Sequence, residues 1–257
     1  MALSIWEALA VFAAGIGAGT INTIVGSGTL ITFPVLLATG LPPITANVSN
    51  TLGLVTGNIS GALGYRRELR GQGRRVIRFG VTALIGGLAG AILLLALPSK
   101  AFDAIVPALI AIALVLVVLQ PRLARALARR RERNGTEAAG DGGIALLVGL
   151  LLSSMYGGYF GAAQGVLYLS LMGLLLRDDL QRINGIKNIL AVVVNGVAAL
   201  FFLFVADFDW TAVVLIAVGS AIGGQIGAKV GRRLPPTALR GVIVAVGIVA
   251  IVQLLLG

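Results

Sequence analysis

The heptapeptide Ile85-Gly86-Gly87-Leu88-Ala89-Gly90-Ala91 returns as Ile222-Gly223-Gly224-Gln225-Ile226-Gly227-Ala228. The two copies stand 137 positions apart, and the same offset holds far outside them. It carries Gly28 onto Gly165, Leu30 onto Leu167, Asn47 onto Asn184, Asn58 onto Asn195, Leu97-Pro98 onto Leu234-Pro235 and Ala101 onto Ala238. The register needs no gap over roughly 85 residues, and chance apolar similarity does not hold Asn, Gly and Pro in one register together. The chain therefore reads as a duplication: a first repeat at 1–120, a linker at 121–143 and a second repeat at 144–257, together forming one domain.

The surroundings of the repeat are those of a membrane protein. Of the 257 residues, 58% are hydrophobic and 12% charged, about half the charge of a soluble domain. Apolar segments lie at 5–25, 28–40, 44–64, 77–97, 101–119, 144–162, 165–176, 183–205, 211–229 and 236–256; several reach the ~20 residues that span a bilayer. The second and seventh are short and follow the breaks VGSGT (25–29) and GAAQG (161–165). Glycine permits interruption of a helix there, and irregular backbone survives at membrane depth only where protein or a polar cavity satisfies it. Half-helices, re-entrant hairpins and tilted spans all remain open, so eight to ten segments are expected. The N-terminus lacks a basic leader region and carries Glu7, so it reads as a first membrane segment that is kept.

Charge sets the orientation. The net charge of +10 comes from arginines clustered in short loops, which the positive-inside rule explains better than nucleic-acid binding. Arg66, Arg67, Arg70, Arg74, Arg75 and Arg78 make 65–78 cytoplasmic, and Arg122, Arg125, Arg129, Arg130, Arg131 and Arg133 do the same for 120–143, read as a flexible hinge. Asp207 and Asp209 place 205–210 outside. At the repeat offset, the basic loop 65–78 falls on the acidic 202–215, so equivalent loops carry opposite bias. The expected architecture is thus an all-α polytopic membrane protein of two inverted repeats with glycine-broken helices, each repeat crossing an odd number of times. Such repeats are a transporter pattern, with the site near the midplane.

The stretch AGTINTIVGSGTLITFPVLLATGLPPITANVSNTLG (18–53) resembles the first-repeat signature of the TauE/SafE sulfite exporter family, also called the 4-toluene sulfonate uptake permeases, and YGGYFGAAQGVLYLSLMGLL (156–175) resembles its second. The resemblance covers nearly the whole chain and implies an inner-membrane permease for sulfite or an organosulfonate such as sulfoacetate. Two departures stand out. Ser27 and Thr29 replace two glycines of the family's run, and Ser49-Asn50-Thr51 stands where the family has Thr-Asn-Lys. A lysine appears instead as Lys187, which aligns with Asn50.

Lys187, within GIKNIL (185–190), is the residue hardest to place in an apolar segment. It either snorkels to the headgroups or faces an anionic substrate. Asn47, Asn50, Asn184 and Asn188 line a substrate site or glue helices, and Ser49 and Thr51 share that neighbourhood. Gly28, Ser27 and Thr29 open the second segment, where helix N–H groups suit an anion; Gln164 and Gly165 occupy the mirrored break. Asn58 and Asn195 read as helix contacts. The ladder Gly219, Gly223, Gly227, Gly231, echoed by Gly86 and Gly90, reads as close helix packing.

The chain has no Cys and no His, which removes thiol chemistry and the usual proton shuttle. Glu7, Asp103, Asp178, Asp179, Asp207 and Asp209 all fall near segment ends, so no carboxylate relay is expected. No nucleotide loop, metal cluster or catalytic triad appears, and neither enzyme chemistry, a cofactor, a metal nor a nucleic-acid partner is expected. The partners expected are a small anion and the lipid bilayer, with a homodimer as a possible assembly. An anion channel and a membrane scaffold stand as alternatives.

Overall fold

Helices account for nearly all of the described residues in the computed structural model, which describes residues 3–133, 142–176 and 178–230, together with 244, 245 and 248. The elements are α1 (Ile5–Ile24), α2 (Thr29–Ala38), α3 (Pro43–Gly64), α4 (Gly73–Ala96), α5 (Ser99–Arg133), α6 (Gly143–Tyr159), α7 (Gln164–Leu175), α8 (Leu180–Val205) and α9 (Trp210–Val230). Among the described residues there is no strand. Most of the expected segment at 236–256, Leu234-Pro235, Ala238, Gly231, Arg232, Arg233 and residues 134–141 of the linker lie outside the described residues.

Among the described residues, five helices are long and apolar enough to cross a membrane: α1, α4, α8, α9 and the Ser99–Leu119 part of α5. With ten and twelve residues, α2 and α7 rise only about 15 and 18 Å, near half of a hydrocarbon core. Neither is a full span, which settles that alternative. The helix α3 has length enough at 22 residues, but its Asn, Ser and Thr residues are mostly buried inward. The expected linker at 120–143 is helical as far as Arg133, because its Ala, Leu and Arg residues are strong helix formers.

Helix starts follow local rules. Ser4 and Glu7 form a reciprocal capping box on α1, and Asp179 accepts from the Gln181 N–H to cap α8.

The glycine ladders order the bundle. A Cβ on Gly219 would meet Phe12 and Ile16, one on Gly223 Ile16 and Thr20, and one on Gly227 Thr20 and Thr23. Numbers rise together, so α1 and α9 run in the same direction at backbone contact. Gly86 and Gly90 meet Leu151 and Met155 in the same manner, which sets α4 beside α6. Along α3 and α9, the Thr56 hydroxyl donates to the Ala217 carbonyl (2.6 Å) and the Ser60 hydroxyl to that of Ala221 (2.7 Å). Gln72 of the loop before α4 donates to the Arg182 carbonyl at the start of α8, and Gly87 of α4 lies against Val194.

Two blocks result, α1/α3/α9 and α4/α6/α8, with α3 against α8 between them. The end of α1 meets the first turns of α8, and the end of α6 meets the first turns of α3, so the blocks run oppositely. Lipid tails give helices little hydrophobic reason to associate, and close small-residue contacts with interhelical hydrogen bonds supply the cohesion instead. Large apolar side chains such as Ile77, Val81, Ile112 and Phe204 are exposed outward, as a lipid-facing surface requires.

Candidate functional site

Both breaks are built by left-handed backbone. Gly26 has φ +84°, and at the repeat offset Ala163 has φ +58°, the one non-glycine residue with positive φ among those described. Alanine holds that conformation at a cost of roughly 1–2 kcal/mol. The breaks meet each other: the Gly165 N–H donates to the Gly26 carbonyl at 3.0 Å. A Cβ on either glycine would strike backbone of the other.

The N–H groups expected to await an anion are largely engaged within these turns. Gly28 N–H donates to Asn22 Oδ1 at 3.2 Å, and those of Leu30 and Ile31 donate to the Ser27 and Gly28 carbonyls. At α7 the N–H groups of Gln164 and Val166 donate to Gly161 and Ala163. The Ser27 hydroxyl stays free, fully buried and without a hydrogen bond.

Lys187 does not snorkel. Its side chain is 0% exposed, and its Nζ donates to the Asn22 and Thr23 carbonyls at 2.8 and 3.0 Å. These are C-terminal carbonyls of α1, which has no basic residue in its own last turn; the ammonium therefore meets the negative end of that helix. Asn184 and Asn188 donate to the same Thr23 carbonyl at 3.4 and 3.3 Å. Lys187 has no carboxylate partner among the described residues. Its neighbours in sequence, Asp178 and Asp179, sit at the helix start, where Asp178 pairs with Arg75 (2.7 Å) and Arg182 (2.8 Å).

The first repeat is wired differently. Asn47 donates to the Tyr159 carbonyl at 3.0 Å, as Asn184 does to the end of α1. Asn50, the equivalent of Lys187, instead turns to α2, accepting from the Thr32 hydroxyl and facing that of Thr29 at 3.4 Å. Asn47 Oδ1, Asn184 Oδ1 and the Tyr159 hydroxyl are buried without a hydrogen bond.

The expected residues thus gather unevenly. Gly28, Thr29, Asn50, Gly165, Asn184, Lys187 and Asn188 line the meeting of the breaks with α3 and α8, and Gln164 donates to the buried Tyr168 hydroxyl at 2.7 Å beside them. Ser49 faces away, accepting from the Asp209 N–H before α9, and Thr51 folds back onto the Asn47 carbonyl. Asn22 escaped the sequence reading, although it joins the break, Lys187 and Asn58 Oδ1 (2.7 Å). Its position one turn before the glycines of VGSGT was the available signal. Asn58 makes the helix contact expected of it.

Paired helix breaks, a buried cation and inward asparagines in a polytopic bundle define an integral-membrane transporter rather than an enzyme. The family model described as Sulfite exporter TauE/SafE matches residues 11–254, and the chain belongs to that family. A "Probable membrane transporter protein" of Haemophilus influenzae is 27% identical over 236 residues, covering 91% of this chain and 88% of that protein. The "Probable membrane transporter protein YfcA" of Escherichia coli K12 is 26% identical over 239 residues, with 93% and 86% covered. The "Probable membrane transporter protein ORF9" of a Sinorhizobium species is 24% identical over 244 residues, with 95% and 90% covered. No solved structure matches the chain. The protein is a multi-pass inner-membrane transporter.

Proposed function

We propose that this transporter carries a small anion, sulfite or an organosulfonate such as sulfoacetate, by alternating access at a site between two inverted repeats. The observation that carries the reading is Lys187, a fully buried ammonium with carbonyl neighbours and no carboxylate partner among the described residues. A charge at membrane depth is costly and needs a function. Two of its three protons are used, and the third is left for an anion oxygen, with the amides of Asn184 and Asn188 at the same Thr23 carbonyl. The family's description as a sulfite exporter supports the substrate class.

Inversion is supported by the placement of equivalents. The repeat offset pairs α1 with α6, α3 with α8 and α4 with α9, and each pair is divided between the two opposed blocks. The Gly165–Gly26 bond closes the space between the breaks, which favours a carrier that must rearrange over an open pore.

The test is equilibrium binding of sulfite, sulfoacetate, taurine, thiosulfate and acetate to the purified protein, followed by counterflow in proteoliposomes. Saturable binding of a sulfur oxyanion with counterflow is expected; absence of binding by all five overturns the reading. Orientation is tested by cysteines at the exposed Arg70 and Asp207, which should label from opposite sides. Gln72 is unsuitable, being buried against Arg182.

A further inference from the structure

We infer that the outward face of α4 is a binding site for an anionic glycerophospholipid, its phosphate held between Arg74 and Arg78 and its acyl chains lying along Ile77, Val81, Leu84 and Ile85. The inference concerns the outside of the bundle and does not depend on what the transporter carries.

It begins from three arginines in the first turns of α4. Successive residues of a helix step by about 100°, so sequence neighbours meet different surroundings. Arg75 turns inward; its side chain is partly buried and pairs with Asp178 at 2.7 Å. Arg74 and Arg78 are exposed and make no ion pair among the described residues. Four positions apart, they are neighbours on one face. Ile77, Val81, Leu84, Ile85 and Ile92 are exposed as well, and together with the two arginines they fall within about 120° of arc. The other side of the helix is spent on the protein: Phe79 and Ala83 are buried, and Gly86 and Gly90 lie against Leu151 and Met155 of α6.

The face therefore has two parts. From Ile77 to Ile92 the helix rises about 22 Å, more than the ~15 Å of one leaflet's hydrocarbon. This apolar lane suits acyl chains. The two guanidiniums stand at its end, where their stems lie along apolar surface while their heads stay among polar groups. A planar guanidinium matches phosphate oxygens two at a time, and a pair one helical turn apart can flank a single phosphodiester. Arg66, Arg67 and Arg70 are exposed just before α4. Their field favours a lipid of net negative charge over zwitterionic phosphatidylcholine. The lane in turn favours a lipid over free phosphate, which has no chains to lay on it.

The experiment uses the full-length protein purified in a neutral detergent, with bound lipid counted by native mass spectrometry as phosphatidylglycerol or phosphatidylcholine is added. The natural chain should retain phosphatidylglycerol at concentrations where phosphatidylcholine is lost, and inorganic phosphate should not displace it. Arg74→Gln with Arg78→Gln should weaken phosphatidylglycerol binding about 25-fold, taking about fivefold for each arginine near a membrane surface. Arg66→Gln with Arg67→Gln removes the same charge away from the α4 face and should cost clearly less. Arg78→Lys should lose less than Arg78→Gln, since the charge persists while the fork is lost. Equal retention of the two lipids by the natural chain overturns the inference without recourse to any variant. Equal losses in the two double variants overturn it in favour of a diffuse positive field. Displacement by inorganic phosphate overturns it by leaving an anion site with no use for the acyl chains.

Discussion

Asn50 and Lys187 hold equivalent positions on α3 and α8, yet they bond in different directions. Asn50 stays within its own half, tying α3 to the short helix α2. Lys187 crosses to the other half and closes the end of α1. Their neighbours three residues earlier, Asn47 and Asn184, do follow one plan, each donating to the end of the opposite half's first helix. The duplication has kept its frame and divided its chemistry: one half brings a fixed charge, and the other spends the same position on holding its broken helix.

The strongest way to break this comparison is to remove each member in turn. Lys187→Met should cost about 2–5 kcal/mol of anion affinity, the range for losing a buried charged partner, whereas Asn50→Met should cost nearer 1 kcal/mol, that of a neutral hydrogen bond. Equal losses in a sulfite titration would erase the division of labour. Lys187→Arg should keep part of the affinity, since charge persists while shape and hydration change.

The double variant Lys187→Asn with Asn50→Lys sharpens the same point. Partial recovery of binding over Lys187→Asn alone is expected if both positions face one cavity.

The two breaks can be compared likewise. Gly26→Ala adds a Cβ into the Gly165 backbone and should destabilise by about 2–4 kcal/mol, combining left-handed strain with overpacking. Ala163→Gly at the equivalent position should stabilise by roughly 0.5–1 kcal/mol, because relief of the same strain exceeds the added chain entropy. Thermal midpoints of the two variants that moved in the same direction would mean that the breaks are not equivalent.

The smallest effect belongs to the Arg75–Asp178–Arg182 cluster, which joins the start of α4 to the start of α8. Its side chains are partly exposed, so Asp178→Asn should shift stability by no more than about 1 kcal/mol. Among the described residues the 205–210 side has no such cluster, and the bond between the Asp209 N–H and Ser49 serves there instead. A large effect on transport with unchanged stability would make the cluster a gate on one face only.

Much of this was legible in the sequence because Asn, Gly and Pro held their register through apolar residues that could drift freely. The glycine ladders announced close helix contact, and the two short segments announced broken helices. Partners were harder to read. Lys187 meets carbonyls some 165 positions away, and nothing local distinguishes that end from a headgroup. The polar run at 47–51 looked like a single lining, but helical rotation decides it: Asn47 and Asn50 share one face, while Ser49 turns toward α9. The engagement of the Gly28 N–H by Asn22 depends on how the chain turns after Gly26, which composition does not specify.

The shared seam of α1 and α9 governs the order in which the molecule is completed. Gly15 and Gly19 on α1 lie against Ile216 and Ser220 of α9, so α1 leaves the ribosome well before α9 and finds its closest companion only when α9 is inserted. Until then its small-residue stripe is without its proper neighbour in the membrane. A chain stopped after α5 would lack the companions of both α1 and α4. Two fragments divided within the 134–141 stretch and made together in one cell should therefore rescue each other, while either made alone should be degraded.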